Sequence, residues 1–119
     1  MKPLLLSLAL AALLVPPLAQ ARTIGQLEFT PCDIAQPGTG ATTRLECATL
    51  EVPEDPEKPG GRTLKLKVGL AAARSAEAEP DLVLFIAGGP GQSATEAYPS
   101  VAGGFSRLLE KRHVVFVDQ

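Results

Sequence analysis

Several things are scarce in this chain, and each scarcity removes a class of function. It has no tryptophan, one histidine and two cysteines among 119 residues. One histidine, distant in sequence from a Cys-x14-Cys pair, gives no metal-ligand spacing, so a zinc site is not expected. No basic excess exists either: the net charge is −2, with no lysine- or arginine-rich stripe. That removes the electrostatic footprint of a nucleic-acid binder. No amphipathic basic helix points to a membrane surface. No internal repeat is visible, and no apolar run reaches the ~20 residues of a spanning helix.

The longest apolar run, Leu4 to Val15 (LLLSLALAALLV), follows Met1-Lys2 and is stopped by Pro16-Pro17. Ala19-Gln20-Ala21 then supplies a small-x-small cleavage site. Basic start, short apolar run and small-residue site form the three-part layout of a secretory signal peptide over residues 1–21. No cysteine follows the run, which argues against a lipoprotein. The expected mature chain starts near Arg22, is exported to the periplasm or beyond, and keeps no stable membrane span. In an oxidising compartment an even pair, Cys32 and Cys47, points to a disulfide.

Residues 22–44 are rich in Gly, Pro and Thr and read as irregular chain pinned by Cys32. Leu45 to Val52 alternates moderately up to Pro53, a candidate strand. Pro53 to Gly61 (PEDPEKPGG) is a turn or loop. Arg62 to Leu70 carries Leu64, Leu66, Val68 and Leu70 on one face and Lys65 and Lys67 on the other, the pattern of a half-buried strand. Leu82 to Ala87 and His113 to Asp118 do not alternate; continuous apolar runs predict strands buried on both faces. Between them, Gly104 to Arg112 (GFSRLLEKR) has helical spacing, with Lys111 and Arg112 suited to a helix C-terminus. The expected class is α/β: an antiparallel hairpin followed by a parallel strand–helix–strand unit over residues 45–119. Because an apolar strand runs directly to Gln119, the sheet is expected to be incomplete and the domain truncated.

The most informative stretch is Leu82 to Thr95, LVLFIAGGPGQSAT. A glycine-rich loop after a buried strand suits three sites. A phosphate loop fits poorly: Gln92 stands where a Walker motif needs its lysine, and Ile86 where it needs its first glycine. A nucleophilic Ser93 fits poorly, since five residues, Gly88 to Gln92, separate it from the strand and Thr95 replaces the last glycine of G-x-S-x-G. The only histidine, His113, precedes its strand and is expected at the opposite end of the sheet. Ser93 then reads as a loop or helix N-cap residue. An oxyanion hole fits better, because glycine lets backbone N–H groups turn toward a ligand and Pro90 stiffens the loop. A plain strand-to-helix turn fits equally well on the residues alone.

Ala87-Gly88-Gly89-Pro90-Gly91, Val117-Asp118-Gln119 and Cys47-Ala48-Thr49-Leu50-Glu51-Val52-Pro53 together resemble the N-terminal part of α/β-hydrolases of the proline iminopeptidase and tripeptidyl aminopeptidase group. The resemblance runs from about Cys32 to Gln119. It implies that the N–H of Gly89, with Gly88 beside it, is one arm of an oxyanion hole, and that Asp118-Gln119 starts a structural turn. It implies a serine peptidase acting at peptide N-termini without metal or organic cofactor, on a peptide or small ester or amide. Ala87 stands where the iminopeptidase pattern has histidine, and the resemblance implies that the nucleophile, acid and histidine would lie downstream of Gln119. The chain alone is therefore expected to be inactive. A hydrolase of other esters or amides on the same fold, or a small disulfide-pinned binding module of the cell envelope, are the alternatives.

Overall fold

The computed structural model describes residues 21–119, so the leader assigned to residues 1–21 lies outside the described residues except for Ala21. Six strands form one sheet: β1 (Arg22–Ile24), β2 (Leu27–Ala35), β3 (Thr42–Pro53), β4 (Thr63–Ala71), β5 (Leu82–Phe85) and β6 (His113–Val117). A single α-helix, α1 (Ala94–Val101), and two 3₁₀ turns, Ala102–Phe105 and Leu108–Glu110, lie between β5 and β6. No helix of the described residues is long and apolar enough to cross a membrane.

The strand order is β1-β2-β3-β4-β6-β5. Four of the five ladders are antiparallel, and only β5–β6 is parallel. The longest ladder joins β3 to β4, from Glu46↔Leu70 to Pro53↔Thr63. Beyond it Glu54 N–H donates to the Arg62 carbonyl at 2.9 Å, and the Glu54 and Arg62 side chains pair. Arg62 holds the Glu54 carboxyl below its usual range. The disulfide between Cys32 and Cys47 is present, with Cα atoms 5.8 Å apart, and cross-links β2 to β3.

Both faces of the sheet carry a core. On the α1 face, Ile34, Leu45, Ala71, Val114 and Phe116 pack with Ala94, Tyr98 and Leu109. Four of the five aromatic side chains gather there: Phe116 lies 4.7 Å from Tyr98, 5.5 Å from Phe85 and 5.6 Å from Phe105, between ring centroids. On the other face Phe29, Ala48, Val68 and Leu70 pack with Ile24, Leu27, Val115 and Val117. Ile24 reaches the same cluster as Val117, although three strands stand between theirs in the sheet. That requires the sheet to curl, and the result is a half-barrel.

This overturns the expected fold class. The described residues form a mixed, curled six-strand sheet with one α-helix, not an α/β-hydrolase-like layered arrangement with several helices. Residues 22–44, read as irregular, hold β1, β2 and the start of β3. Their turn-forming residues mark the hairpin tip: Gln36 N–H donates to the Ala41 carbonyl at 2.8 Å across Pro37–Gly40. The helix expected over Gly104–Arg112 is replaced by 3₁₀ turns, and α1 forms earlier. Gly103-Gly104 interrupts the segment, where glycine lowers helix stability by ~1 kcal/mol per residue. β5 is not buried on both faces. It is the edge strand, and Leu82, Leu84 and Ile86 are 45%, 53% and 53% exposed, while Val83 and Phe85 face the α1 core.

Candidate functional site

The loop joining β5 to α1 is shaped by two glycines with positive φ, Gly89 at 81° and Gly91 at 83°. Gln92 N–H donates to the Gly89 carbonyl at 3.3 Å, closing a β-turn with Pro90 and Gly91 at its centre. Proline then glycine with φ near +80° is the signature of a type II turn. A Cβ on Gly88, Gly89 or Gly91 would meet nothing within 4 Å, so their role is conformational freedom and open approach, not close packing. All three are exposed. Among the turn and loop hydrogen bonds of the described residues, none of their N–H groups has an acceptor. Ala87 turns back onto the α1 core.

Ser93 caps α1. Its Oγ accepts from Glu96 N–H at 3.0 Å and its carbonyl accepts from Ala97 N–H at 3.1 Å. Ser93-Ala94-Thr95-Glu96 is the S-x-x-E pattern of a capping box, a local signal for a helix starting here. Thr95 N–H donates to Asp118 Oδ1 at 2.8 Å, and Thr95 Oγ1 donates to Asp118 Oδ2 at 2.9 Å. Asp118 is marked in the sequence only as part of Val117-Asp118-Gln119, and nothing there joins it to Thr95, 23 residues away.

Ser93 and His113 are not brought together. His113 pairs with Leu82 at the start of β5, whereas Ser93 follows the strand's far end. His113 Nδ1 accepts from Ala73 N–H at 3.1 Å, which occupies one ring nitrogen in holding a loop. The described residues therefore contain no serine–histidine pair at this loop. Beside it, Pro37, Gly91, Gln92, Ser93, Glu96, Ala97 and Ser100 line a shallow cleft of about 380 Å³. A larger hollow of about 560 Å³ lies on the sheet over Thr30, Cys47, Thr49, Lys65 and Lys67, away from the glycine loop and without a nucleophile–base pair.

No protein-family model matches this sequence, and no curated protein matches it.

Proposed function

We propose that this chain supplies the oxyanion-binding loop of an exported serine hydrolase, one that removes residues from peptide N-termini. One observation carries the reading: in the loop after β5 the exposed residues Gly88, Gly89 and Gly91 lie in or directly before a turn that Pro90 and two positive-φ glycines define, and their N–H groups have no acceptor among the described residues. Such donors stabilise the negative charge that develops on a carbonyl oxygen during acyl transfer. Acyl transfer to serine needs no metal or organic cofactor. Ser93 caps α1 and lies at the opposite end of β5 from His113, so in this reading the attacking serine, its histidine and its acid would be supplied from outside these 119 residues. The chain by itself is then inactive. The leader over residues 1–21 supports export.

The test compares this chain with the product of the whole reading frame that encodes it. Both are treated with a fluorophosphonate probe and with aminoacyl- and tripeptidyl-p-nitroanilides. Labelling and cleavage by the whole product, and neither by the 119 residues, is the expected outcome. Turnover by the 119 residues that disappears in Ser93→Ala would overturn the assignment. So would a whole product that neither labels nor cleaves, which would leave a disulfide-pinned binding module as the better reading.

A further inference from the structure

Thr95 is fully buried, and it is the only polar residue buried among the described residues. A buried hydroxyl is stabilising only when its hydrogen bonds are made. Here both donors of one residue, the N–H and the Oγ1–H, go to the two oxygens of one carboxylate, Asp118, at 2.8 and 2.9 Å. Asp118 is itself held by the sheet: it directly follows β6, and its N–H donates to the Lys67 carbonyl of β4 at 3.0 Å.

The bonds continue in one direction. A carboxylate has no hydrogen to give, so the Thr95 hydroxyl hydrogen goes to Asp118. The Ser93–Thr95 contact of 3.2 Å then has Ser93 as donor, and Ser93 Oγ in turn accepts from Glu96 N–H at 3.0 Å. The chain runs Glu96 N–H to Ser93, Ser93 to Thr95, Thr95 to Asp118. Each link polarises the next, and the chain ends on a negative charge beside the N-terminus of α1. The sheet leaves room for it. A Cβ on Gly69 of β4 would lie 3.0 Å from Thr95 Cγ2.

From these contacts we infer that Asp118 is the positioning residue of the glycine loop. Acting through Thr95 and Ser93, it fixes where the Gly88, Gly89 and Gly91 amides stand. The loop has two anchors. One is β5, which ends at Phe85. The other is the Ser93–Glu96 turn, joined to Gly91 through Gln92 alone, whose N–H is already used in the turn. Ala87 packs on the core at the first anchor, while the second stands one residue from Gly91 and is tied to the sheet through Asp118. The catalytic consequence rests on the oxyanion reading above. Oxyanion donors act only within about 2.7–3.1 Å of the charge, and a displacement of about 1 Å can cost on the order of 100-fold in rate.

Two readouts separate the inference from the reading it deepens. The first is the amide NMR spectrum of the protein in Asp118→Asn and Thr95→Val, with Thr95→Ser as the conservative control. Asp118→Asn removes one acceptor oxygen, and Thr95→Val keeps the shape but loses the hydroxyl. In both, the Gly88, Gly89 and Gly91 amide resonances shift and lose order, while protection of the β2–β4 amides shows that the fold is intact. Thr95→Ser, which keeps both donors, restores the loop. Loop resonances unmoved in both variants would overturn the inference. The second readout is kinetic, on the whole reading-frame product. There kcat falls about tenfold or more and KM stays within about twofold, because the loss is of transition-state geometry. A loop that loosens with kcat unchanged would leave Asp118 as the positioning residue and overturn the oxyanion function instead.

Discussion

Gly69 offers a test in which two opposite expectations can be set against each other. It sits in β4 with ladder partners on both sides, Cys47 in β3 and Phe116 in β6. Replacing a strand glycine with alanine ordinarily stabilises by about 0.4–1 kcal/mol, because the unfolded chain loses freedom. The structure opposes that gain. A Cβ here would lie 3.0 Å from Thr95 Cγ2 and 3.1 Å from Leu45 Cδ1. Neither methyl can retreat freely. Thr95 is β-branched and bonded to Asp118 twice, and Leu45 is 3% exposed in the core. Overpacking of this kind costs about 1–3 kcal/mol. The net for Gly69→Ala is therefore a destabilisation of about 0.5–2 kcal/mol. Thr95→Ser removes Cγ2 and keeps the hydroxyl, so the alanine should cost about 1 kcal/mol less in that background. Urea denaturation followed by far-UV circular dichroism on the four proteins of the cycle reads this directly. At m-values of about 1–3 kcal/mol/M, 1 kcal/mol moves the midpoint by about 0.3–1 M. A Gly69→Ala protein as stable as wild type, or a coupling energy below about 0.3 kcal/mol, would refute the steric argument.

Two further outcomes follow from the same structure. Opening the Cys32–Cys47 disulfide, by reduction or by Cys32→Ser with Cys47→Ser, should cost about 3 kcal/mol for a separation of 15 residues, read as a lower urea midpoint; an unchanged midpoint would show that the β2–β3 ladder alone constrains that loop. Tyr98, 6% exposed, has its phenol pKa raised by burial, an effect partly offset by Arg74. A folded-state pKa raised above the unfolded value of about 10 gives stability that is complete below pH 10 and is lost as pH rises through the folded pKa. Because Tyr98 is the chain's one tyrosine, absorbance at 295 nm reports it alone; a midpoint at or below pH 10 would contradict its burial.

Parts of this architecture are legible in the residues and others are not, and the difference is physical. β4 is readable because Leu64, Leu66, Val68 and Leu70 alternate with lysines, and a period of two matches a strand and no helix. The disulfide is expected from an even pair of cysteines in a chain read as exported, and it is present. β2 is not readable. Its apolar residues, Leu27, Phe29, Cys32, Ile34 and Ala35, do not keep a strict alternation, and Pro31 looks like a strand breaker. Yet β1 pairs only with Leu27–Phe29, so at Pro31 one side of β2 is a sheet edge, where a missing N–H is tolerated. α1 is hidden for a similar reason. Pro99 lies inside it, and only the capping pattern at Ser93–Glu96 marks its start. β5 misled because a run of apolar residues reads the same whether a strand is central or exposed at an edge.

The fold class failed where local motifs were asked to specify global arrangement. A Gly-Gly-Pro-Gly turn demands only a strand before it, a helix after it and room for two positive-φ residues. A curled sheet built from antiparallel hairpins meets those demands through its single parallel pair, β5 and β6. The loop is therefore preserved as a candidate site although the layered architecture it suggested is absent. The Thr95–Asp118 bonds show the reverse. No local pattern announces them, because the end of β6 comes beside the start of α1 only when the chain is folded. Fixing the loop involves that long-range contact, so the glycines and Asp118 can each be picked out along the chain, but the bonds that join Asp118 to Thr95 cannot.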